Sequence, residues 1–565
     1  MRPLLIGLAL LCCNSLAHAD EAAPLERGTA ILEPFALREL DKGPFGLGRM
    51  LATGSDATLT SATLFALPAM QPIRKALDAE FDRYVEKHRT TLPNESIGVG
   101  TSYAFQLFDR AVLDAPDTRF VLAGVVNRMD RAFVDPDHCG EVRLLYRLTR
   151  TTPPEAKGGE LASPRLPMTL NIVLKARSDE QARSNAPSCA DIAKRWLATS
   201  DLQLTGPELA ARLVAPDGPL ALIRPENIHR IETNLQIAHA PKSDVRDFRT
   251  DYMMKVFDYQ SASGTFEEAV LEDQVDRDRL LADAALAREF KAWLLDPVHL
   301  GELDRGTAVI PDKFLAKVAV APTPVGFVNS DLLPAYGLVQ GDSSGPAPLF
   351  TQADVVGALE QAAAQGVRLQ NIQTVAGFER RLNDSSCGGC HQTRGIGGFH
   401  FPGVDWMAEK PSNTVVVPGS PHFFGDQVRR RDILTALAEG RTPDFSRGFA
   451  SRPQLRGSDE LAGTVYNDGC GAHCYAGRTD PAENDKSFST WTCASNLSCQ
   501  TGPATRFGMC FIATRYVTRP RRVRVIRGWP GRRSRLAAEC RRCARLVPAA
   551  CAGRPCAGRR SRSGC

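Results

Sequence analysis

The sequence predicts an α+β fold in three parts: a mixed N-terminal domain, a small mainly helical domain and a small disulfide-rich C-terminal module. Short runs rich in Val, Leu, Ile and Tyr follow residue 105 and alternate with segments of helical period. A Gly- and Pro-rich stretch at 341–348 separates this block from a new helical pattern at 351–364. Five cysteines between Cys470 and Cys510 then stand where too few apolar residues remain to bury a core.

Length and composition limit the class of protein. At 565 residues the chain is long enough for three or four domains of ordinary size. Its 43% hydrophobic and 24% charged residues are usual for globular proteins and exclude collagen-like, coiled-coil and wholly disordered chains. After the first twenty residues no apolar run approaches the roughly 18 residues that span a bilayer. The sequence therefore predicts no transmembrane span.

Residues 1–19 are typical of a secretory signal peptide. Arg2 precedes an apolar stretch at 4–11, and Ala17-His18-Ala19 forms a small-x-small cleavage site. We therefore expect the mature protein in the periplasm or outside the cell, where paired thiols oxidise to disulfides.

The basic charge lies at the end of the chain. The formal net charge is +5, but residues 519–565 alone contain 15 Arg, no Lys and a single acid, Glu539, so the rest of the chain is acidic. We expect no nucleic-acid partner for that acidic part. Alternating Arg, Ala, Gly, Pro and Cys is typical of a GC-rich coding region read in the wrong frame, so we interpret 519–565 as frameshifted or disordered. An RNA-binding arm is the alternative.

The α+β domain is predicted to cover residues 20–345, with 20–95 as an N-terminal cap that carries no recognisable chemistry. An amphipathic helix is expected at 73–88 in the cap. No glycine-rich phosphate loop or dinucleotide fingerprint is present in the domain. Further strands and helices are predicted by period and composition: strands at 120–126, 142–148, 168–174 and 228–237, and helical segments at 191–197 and 277–295, the last ended by Pro297.

Cys139 and Cys189 are the only two cysteines of this domain, and turn-forming residues flank both of them. We expect a disulfide between them. Asp130, Asp135, Asp137 and His138 lie close by in the chain, and carboxylates with an imidazole could hold a metal ion. The preferred interpretation is ordinary turn chemistry, because Asp-Pro-Asp is a common turn between strands.

One motif carries specific chemistry: Cys387-Gly-Gly-Cys390-His391, a C-x-x-C-H. This spacing is the attachment signature of c-type haem. Two thiols one short turn apart reach both vinyl groups of a haem, and the adjacent histidine reaches the iron. Over about residues 346–450 the chain resembles c-type cytochromes, whereas the long block before it resembles only exported bacterial proteins. The resemblance implies one covalent haem c, with Cys387 and Cys390 as anchors and His391 as proximal ligand.

The surroundings of the motif supply further candidate residues. A helix at 375–382 is expected to lead into it, and Arg394 is a candidate partner for a haem propionate, because a guanidinium binds a carboxylate in two places. The sixth iron ligand decides between electron transfer and ligand chemistry. His422, which follows a stiff Pro-Gly-Ser-Pro loop, and Met407 are the candidates for that position.

The sequence therefore predicts an exported c-type haem protein that transfers single electrons to a redox partner protein. Its predicted parts are the signal peptide at 1–19, the α+β domain at 20–345, the haem domain at 346–450, the disulfide-rich module at 466–518 and the tail at 519–565. The first alternative is a peroxidase-like haem enzyme with an open iron position. The second is an extracellular binding or structural protein in which Cys387 and Cys390 form a disulfide, and a redox dithiol or a zinc site at the motif also stays open.

Overall fold

A computed structural model describes the chain in segments, and the structural statements below concern these residues. The described segments are 28–52, 58–97, 110–151, 165–184, 187–241, 249–272, 274–322, 349–387, 403–407, 412–417, 423, 426–447, 467–468, 473–475, 492–493, 497–501 and 507–512.

Thirteen α-helices occur in the described segments. They are α1 Pro34–Lys42, α2 Leu47–Leu51, α3 Ser61–Ala66, α4 Gln71–Thr91, α5 Asp179–Arg183, α6 Cys189–Leu197, α7 Gly206–Val214, α8 Arg277–Ala282, α9 Ala284–Leu294, α10 Pro297–Arg305, α11 Gln352–Ala364, α12 Val375–Asp384 and α13 Gln427–Ala438.

Sixteen strands accompany them. They are β1 Ala30–Ile31, β2 Glu95–Ile97, β3 Thr118–Arg128, β4 Glu141–Arg150, β5 Arg165–Lys175, β6 Ile228–Pro241, β7 Arg249–Gln260, β8 Thr265–Ala269, β9 Ala319–Pro322, β10 Gly403–Asp405, β11 Ser412–Val417, β12 Asn467–Asp468, β13 His473–Tyr475, β14 Thr492–Cys493, β15 Leu497–Thr501 and β16 Phe507–Ile512.

The first nine strands form one antiparallel sheet. Its order is β1-β3-β4-β5-β6-β7-β8, while β2 pairs with β6 and β9 pairs with β7. All four strands predicted from the sequence lie within β3, β4, β5 and β6, so those predictions are confirmed. The combination of helices with an antiparallel sheet makes the fold α+β, also as predicted.

The two faces of the sheet differ in chemistry because side chains alternate along each strand. Ile231, Leu235, Met253 and Phe257 point to one face and are completely buried in the main hydrophobic core. The other face carries the alternate residues, which are mostly polar. This polar face lines the cavity described in the next section.

Helix α4 packs on the apolar face, and its sequence explains why. Ile73, Leu77 and Phe81 recur at helical spacing and are buried in the main core. Pro72 at the start of the helix has no N–H to leave unsatisfied, which suits the first turn. The helix predicted at 73–88 is therefore confirmed and is longer than expected.

A second hydrophobic core lies among the helices α8 to α12. Phe314, Phe290, Phe350 and Phe378 form its centre, and in this order their ring centroids lie 5.0, 6.0 and 5.2 Å apart. This core combines residues from 275–315 with residues from 349–382, so helices on both sides of the Gly- and Pro-rich stretch contribute to it.

The segment predicted as one helical stretch at 277–295 is two helices, and that detail of the prediction was wrong. Asp283 separates them, because its carboxylate accepts hydrogen bonds from the N–H groups of Ala285 and Leu286 and so caps α9. Pro297 does not end the pattern as expected. It occupies the first turn of a further helix, α10, where proline is favoured.

The disulfide between Cys139 and Cys189 is present, as predicted, with its two Cα atoms 5.3 Å apart. It links the turn before β4 to the start of α6. The turn needs Gly140, whose φ is +80°, because a Cβ there would lie 2.7 Å from the Arg128 carbonyl oxygen. In the C-terminal module Cys499 is also disulfide-bonded.

We expect replacement of both Cys139 and Cys189 by Ser to lower the free energy of unfolding by about 2–5 kcal/mol. The physical reason is that the bridge closes a loop of 50 residues and restricts the unfolded chain. Urea denaturation followed by tryptophan fluorescence measures the change, and non-reducing peptide mapping of the wild type verifies the bridge. Equal midpoints for the wild type and the double variant would contradict the expectation.

No helix among the described residues is long and apolar enough to cross a membrane.

Candidate functional site

A cavity of about 740 Å³ lies on the polar face of the sheet. Its floor is a row of side chains from four neighbouring strands, Leu145, Asn171, Glu232 and Val256, which lie side by side in the sheet register. The volume falls within the range of about 300–1,000 Å³ that small-molecule and cofactor sites occupy.

The C-x-x-C-H motif begins at the wall of this cavity. The helix expected at 375–382 is present as α12, and Ser386 and Cys387 follow it and line the cavity. Cys387 is half-buried and packs against an apolar cluster that includes Val256, Leu271 and Ala319. The first cysteine of the motif therefore lies at the apolar end of the floor, beside Val256.

Ion pairs stabilise the polar floor. Arg143 donates hydrogen bonds to Glu141 at 2.8 Å and to Glu232 at 3.0 Å, while Arg230 donates to the same two carboxylates at 2.9 and 3.1 Å. Asn171 Nδ2 adds a bond of 2.9 Å to Glu232. Burial alone would raise the pKa of Glu141, but Arg230, Arg143 and Arg131 hold it well below its usual value. Both carboxylates are therefore ionised at neutral pH.

A second group of charges lies where α13 meets the turn that follows β3. Asp130 accepts from Arg128 Nε at 2.8 Å and from Arg429 Nη2 at 2.8 Å, and Asp426 accepts from Arg429 Nε at 2.7 Å and from Arg430 Nε at 2.8 Å. Burial opposes the charged form of Asp130, yet Arg128, Arg430 and Arg429 hold its pKa well below the usual range. In this group three guanidinium groups share two carboxylates.

Arg128 and Arg430 of this group both line the cavity, and Arg430 has a donor that could reach a ligand. Its side chain is buried, its guanidinium lies 5.6 Å from the Phe423 ring centroid, and its Nη1 atom is buried with no hydrogen-bond partner in the described structure. Burial, together with the nearby charge of Arg128, lowers the pKa of Arg430 to about 10. An anion placed in the cavity at Nη1 would satisfy the donor and offset both effects.

Of the six residues predicted to bind haem or its iron, Cys387 and Met407 lie among the described residues. Met407 follows Trp406, whose indole Nε1 donates to the Leu122 carbonyl oxygen on β3 at 2.8 Å, and Met407 does not line the cavity. Cys390, His391, Arg394 and His422 lie outside the described residues. Their roles as anchor, proximal ligand, propionate partner and sixth ligand therefore stay predictions.

The side chains of the acid-rich segment before β4 do not converge on one point, as the ligands of a metal ion would. Asp130 pairs with arginines, as described above, while His138 contacts Asp135 at 2.6 Å and Asp179 at 2.8 Å. Pro136 O accepts the N–H of Cys139, so the preferred interpretation of this segment as a turn is confirmed.

The charged lining of the cavity was not predicted from the sequence. A signal was present, because Glu141, Arg143 and Arg147 alternate with Val142, Leu144 and Tyr146 along β4. This alternation predicts a strand with one apolar and one charged face. No local sequence pattern could predict that the arginines of α13 pair with Asp130, since Asp130 and Arg429 lie 299 positions apart.

Comparisons of this chain with protein-family models, with curated proteins and with solved structures found no match. The function proposed below therefore depends on the chain's own residues.

Proposed function

We propose that this protein is an exported c-type haem protein that transfers single electrons. The observation that carries the proposal is the C-x-x-C-H motif, which begins at Cys387 on the wall of a cofactor-sized cavity. Cys390 would provide the second thioether and His391 the proximal ligand. A redox partner protein follows from this function, because single electrons need a donor and an acceptor.

The described residues fit such a group in three respects. The volume of about 740 Å³ is adequate, and Cys387 packs against the apolar cluster that a macrocycle would contact. Buried Arg430 offers an unpartnered donor, which suits a carboxylate. Haem would supply the one-electron chemistry, with its potential set by the axial ligands and by burial. The chain would fix the group by its thioethers, exclude water with the apolar wall and hold negative charge with Arg430.

Production in a host with cytochrome c maturation tests the proposal. A denaturing gel should show a haem-stained band at the size of the protein, and the intact mass should exceed the chain mass by one haem, because only covalent haem survives denaturation. The reduced optical spectrum then distinguishes electron transfer from the peroxidase-like alternative, in which the sixth position is open. A colourless product from such a host would reject haem attachment.

A second candidate function is the binding of a small anionic ligand by the cavity without haem. The Nη1 atom of Arg430 favours it, because this buried donor has no hydrogen-bond partner among the described residues and the Arg430 side chain lines the cavity. In this case the chain would be an extracellular binding protein, and Cys387 would form a disulfide with Cys390.

Replacement of Arg430 by Gln tests the second candidate. On protein made without haem maturation, titration calorimetry with succinate and with inorganic phosphate should show binding that weakens about 10–100-fold in the variant, which corresponds to the loss of one charge-assisted hydrogen bond. Replacement of the exposed Arg288 on α9 by Gln is the matched control and should leave the affinity unchanged. Absence of binding by the wild type would reject this candidate.

A further inference from the structure

A buried polar cluster lies on the opposite face of the sheet from the cavity, between α4 and the strands β2, β6 and β7. Its members are His88, Glu95, His239 and Asp251, with Tyr84 one helical turn before His88. The side chains of His88, His239 and Asp251 are 3%, 0% and 1% exposed, respectively, and that of Glu95 is 11% exposed. The cluster interrupts the apolar layer between helix and sheet, where such groups are costly unless they are satisfied.

Three of these side chains converge on one point. His88 Nε2 lies 3.8 Å from Glu95 Oε2, and His239 Nδ1 contacts the same carboxylate oxygen. One nitrogen or oxygen atom from each of the three residues lies within 4.8 Å of the other two. The two imidazole rings meet edge to face, with centroids 5.1 Å apart. Two imidazoles and a carboxylate are a ligand set that zinc takes in proteins.

The hydrogen bonds within the cluster leave two of its buried nitrogens without a partner among the described residues. His88 Nε2 is buried and has no hydrogen-bond partner among the described residues, although it is directed toward Glu95. A metal ion bound at Nε2 would give this buried nitrogen the partner that the described residues do not supply.

Residues that could orient the three ligands lie next to them. The second nitrogen of His239, Nε2, lies 3.4 Å from Asp251 Oδ2, and the Tyr84 hydroxyl donates to the same oxygen at 2.8 Å. A metal-bound histidine usually directs its other ring nitrogen to a carboxylate, which fixes the tautomer and orientation of the ring. Asp251 lies beside that nitrogen, which has no hydrogen-bond partner among the described residues, and the Tyr84 hydroxyl holds the carboxylate in place.

We propose that His88, Glu95 and His239 bind a divalent transition-metal ion, with Zn²⁺ as the best-matched ion, and that Asp251 and Tyr84 orient the ligands. The site is separate from the haem motif, and the proposal does not depend on the proposed function. Because His88 lies on α4 and the other ligands lie on β2 and β6, the bound ion would link α4 to the sheet. A fourth position is left for water, as in zinc sites with three protein ligands.

The test uses the full-length protein with Cys387 and Cys390 replaced by Ser, so that these thiols cannot bind zinc. After chelation and dialysis, calorimetry with ZnCl₂ and metal analysis should show a tight site that depends on His88 and His239. The melting temperature should rise with Zn²⁺, because the ion binds the folded chain. His88→Gln and His239→Gln should each weaken this site by more than about 100-fold, and Tyr84→Phe by about 10–100-fold, the usual effect of losing an outer partner.

The matched control is His138→Gln. His138 also lies between two carboxylates, Asp135 and Asp179, but each of its ring nitrogens already has a partner and Asp179 is exposed. Its replacement should leave the zinc affinity and the zinc-induced rise in melting temperature unchanged. Circular dichroism shows which variants are folded.

A second measurement keeps the proposal falsifiable if a histidine variant does not fold. Co²⁺ bound to the parent protein should give the visible absorption of a site with nitrogen and oxygen ligands and no thiolate band. A parent protein that gains no thermal stability from Zn²⁺, or folded His88→Gln and His239→Gln variants that bind zinc as the parent does, would overturn the assignment.

Discussion

Replacement of Cys387 and Cys390 by Ala should abolish covalent haem completely. Each thioether bond needs a cysteine sulfur, and the side chain of Cys387 is directed into the sheet cavity from the end of α12. The double variant, made in a host with cytochrome c maturation, should give no haem-stained band and should have the mass of the chain alone. Single variants should bind haem through one bond at most.

Folding must be separated from haem attachment in this comparison. Ser385→Ala is a suitable control, because Ser385 lies two residues before Cys387, and its hydroxyl donates only to the Leu382 carbonyl oxygen among its described contacts. This variant should keep the full haem content. If the double cysteine variant retains covalent haem, the assignment of the motif is wrong.

Replacement of Asp130 by Asn should lower the free energy of unfolding at pH 7 by about 3–5 kcal/mol. The side chain of Asp130 is 3% exposed and accepts hydrogen bonds from Arg128 and Arg429, so the variant leaves buried guanidinium groups without their counter-charge. Urea denaturation measures the loss. Asp278→Asn is the control, because Asp278 also pairs with an arginine, Arg277, but is 87% exposed, and we expect a change within about 0.5 kcal/mol.

The effect of Asp130 should depend on pH in a defined direction. Its pKa in the folded protein is far below the unfolded value of about 3.9, so its ion pairs stabilise the fold above that pH, and the stabilisation is lost as the pH falls toward the folded value. The difference between wild type and Asp130→Asn should therefore be constant from pH 7 to about pH 5 and should shrink below about pH 4. A difference that grows on acidification would contradict this account.

The strands that the sequence predicts correctly are those with the strongest local signal. Residues 142–148 and 168–174 are dense in Val, Leu and Ile, and the structure places them at the centre of the sheet. Strand β7 was not predicted, because Asp251, Lys255 and Asp258 interrupt its apolar residues. Lys255 is nevertheless 1% exposed, since Glu80 and Glu268 pair with it inside the fold. Only tertiary structure supplies those partners.

The candidate sites, too, could be predicted only where their residues are close together in the sequence. Cys387 was identified from a five-residue motif, which is local in sequence. The cap at 20–95 was predicted to carry no chemistry, and yet Glu80, Tyr84 and His88 are spaced by four on the buried side of α4. That spacing was a readable signal, because it puts three polar side chains on one face. His239 and Asp251 could not be linked to it, since only the tertiary fold brings them to Glu95 and Tyr84, across more than 140 positions.

The contact of α13 with the start of the chain orders the events of biosynthesis. Gln427 is completely buried and receives a hydrogen bond from Thr29, 398 positions earlier. A protein exported as proposed folds after it crosses the membrane, and β9, the last strand of the sheet, crosses with Pro322, before α13, which begins at Gln427. Until α13 follows, Asp130 lacks its hydrogen bond from Arg429. Chains truncated between Pro322 and Gln427 should therefore be degraded and should not accumulate in the compartment.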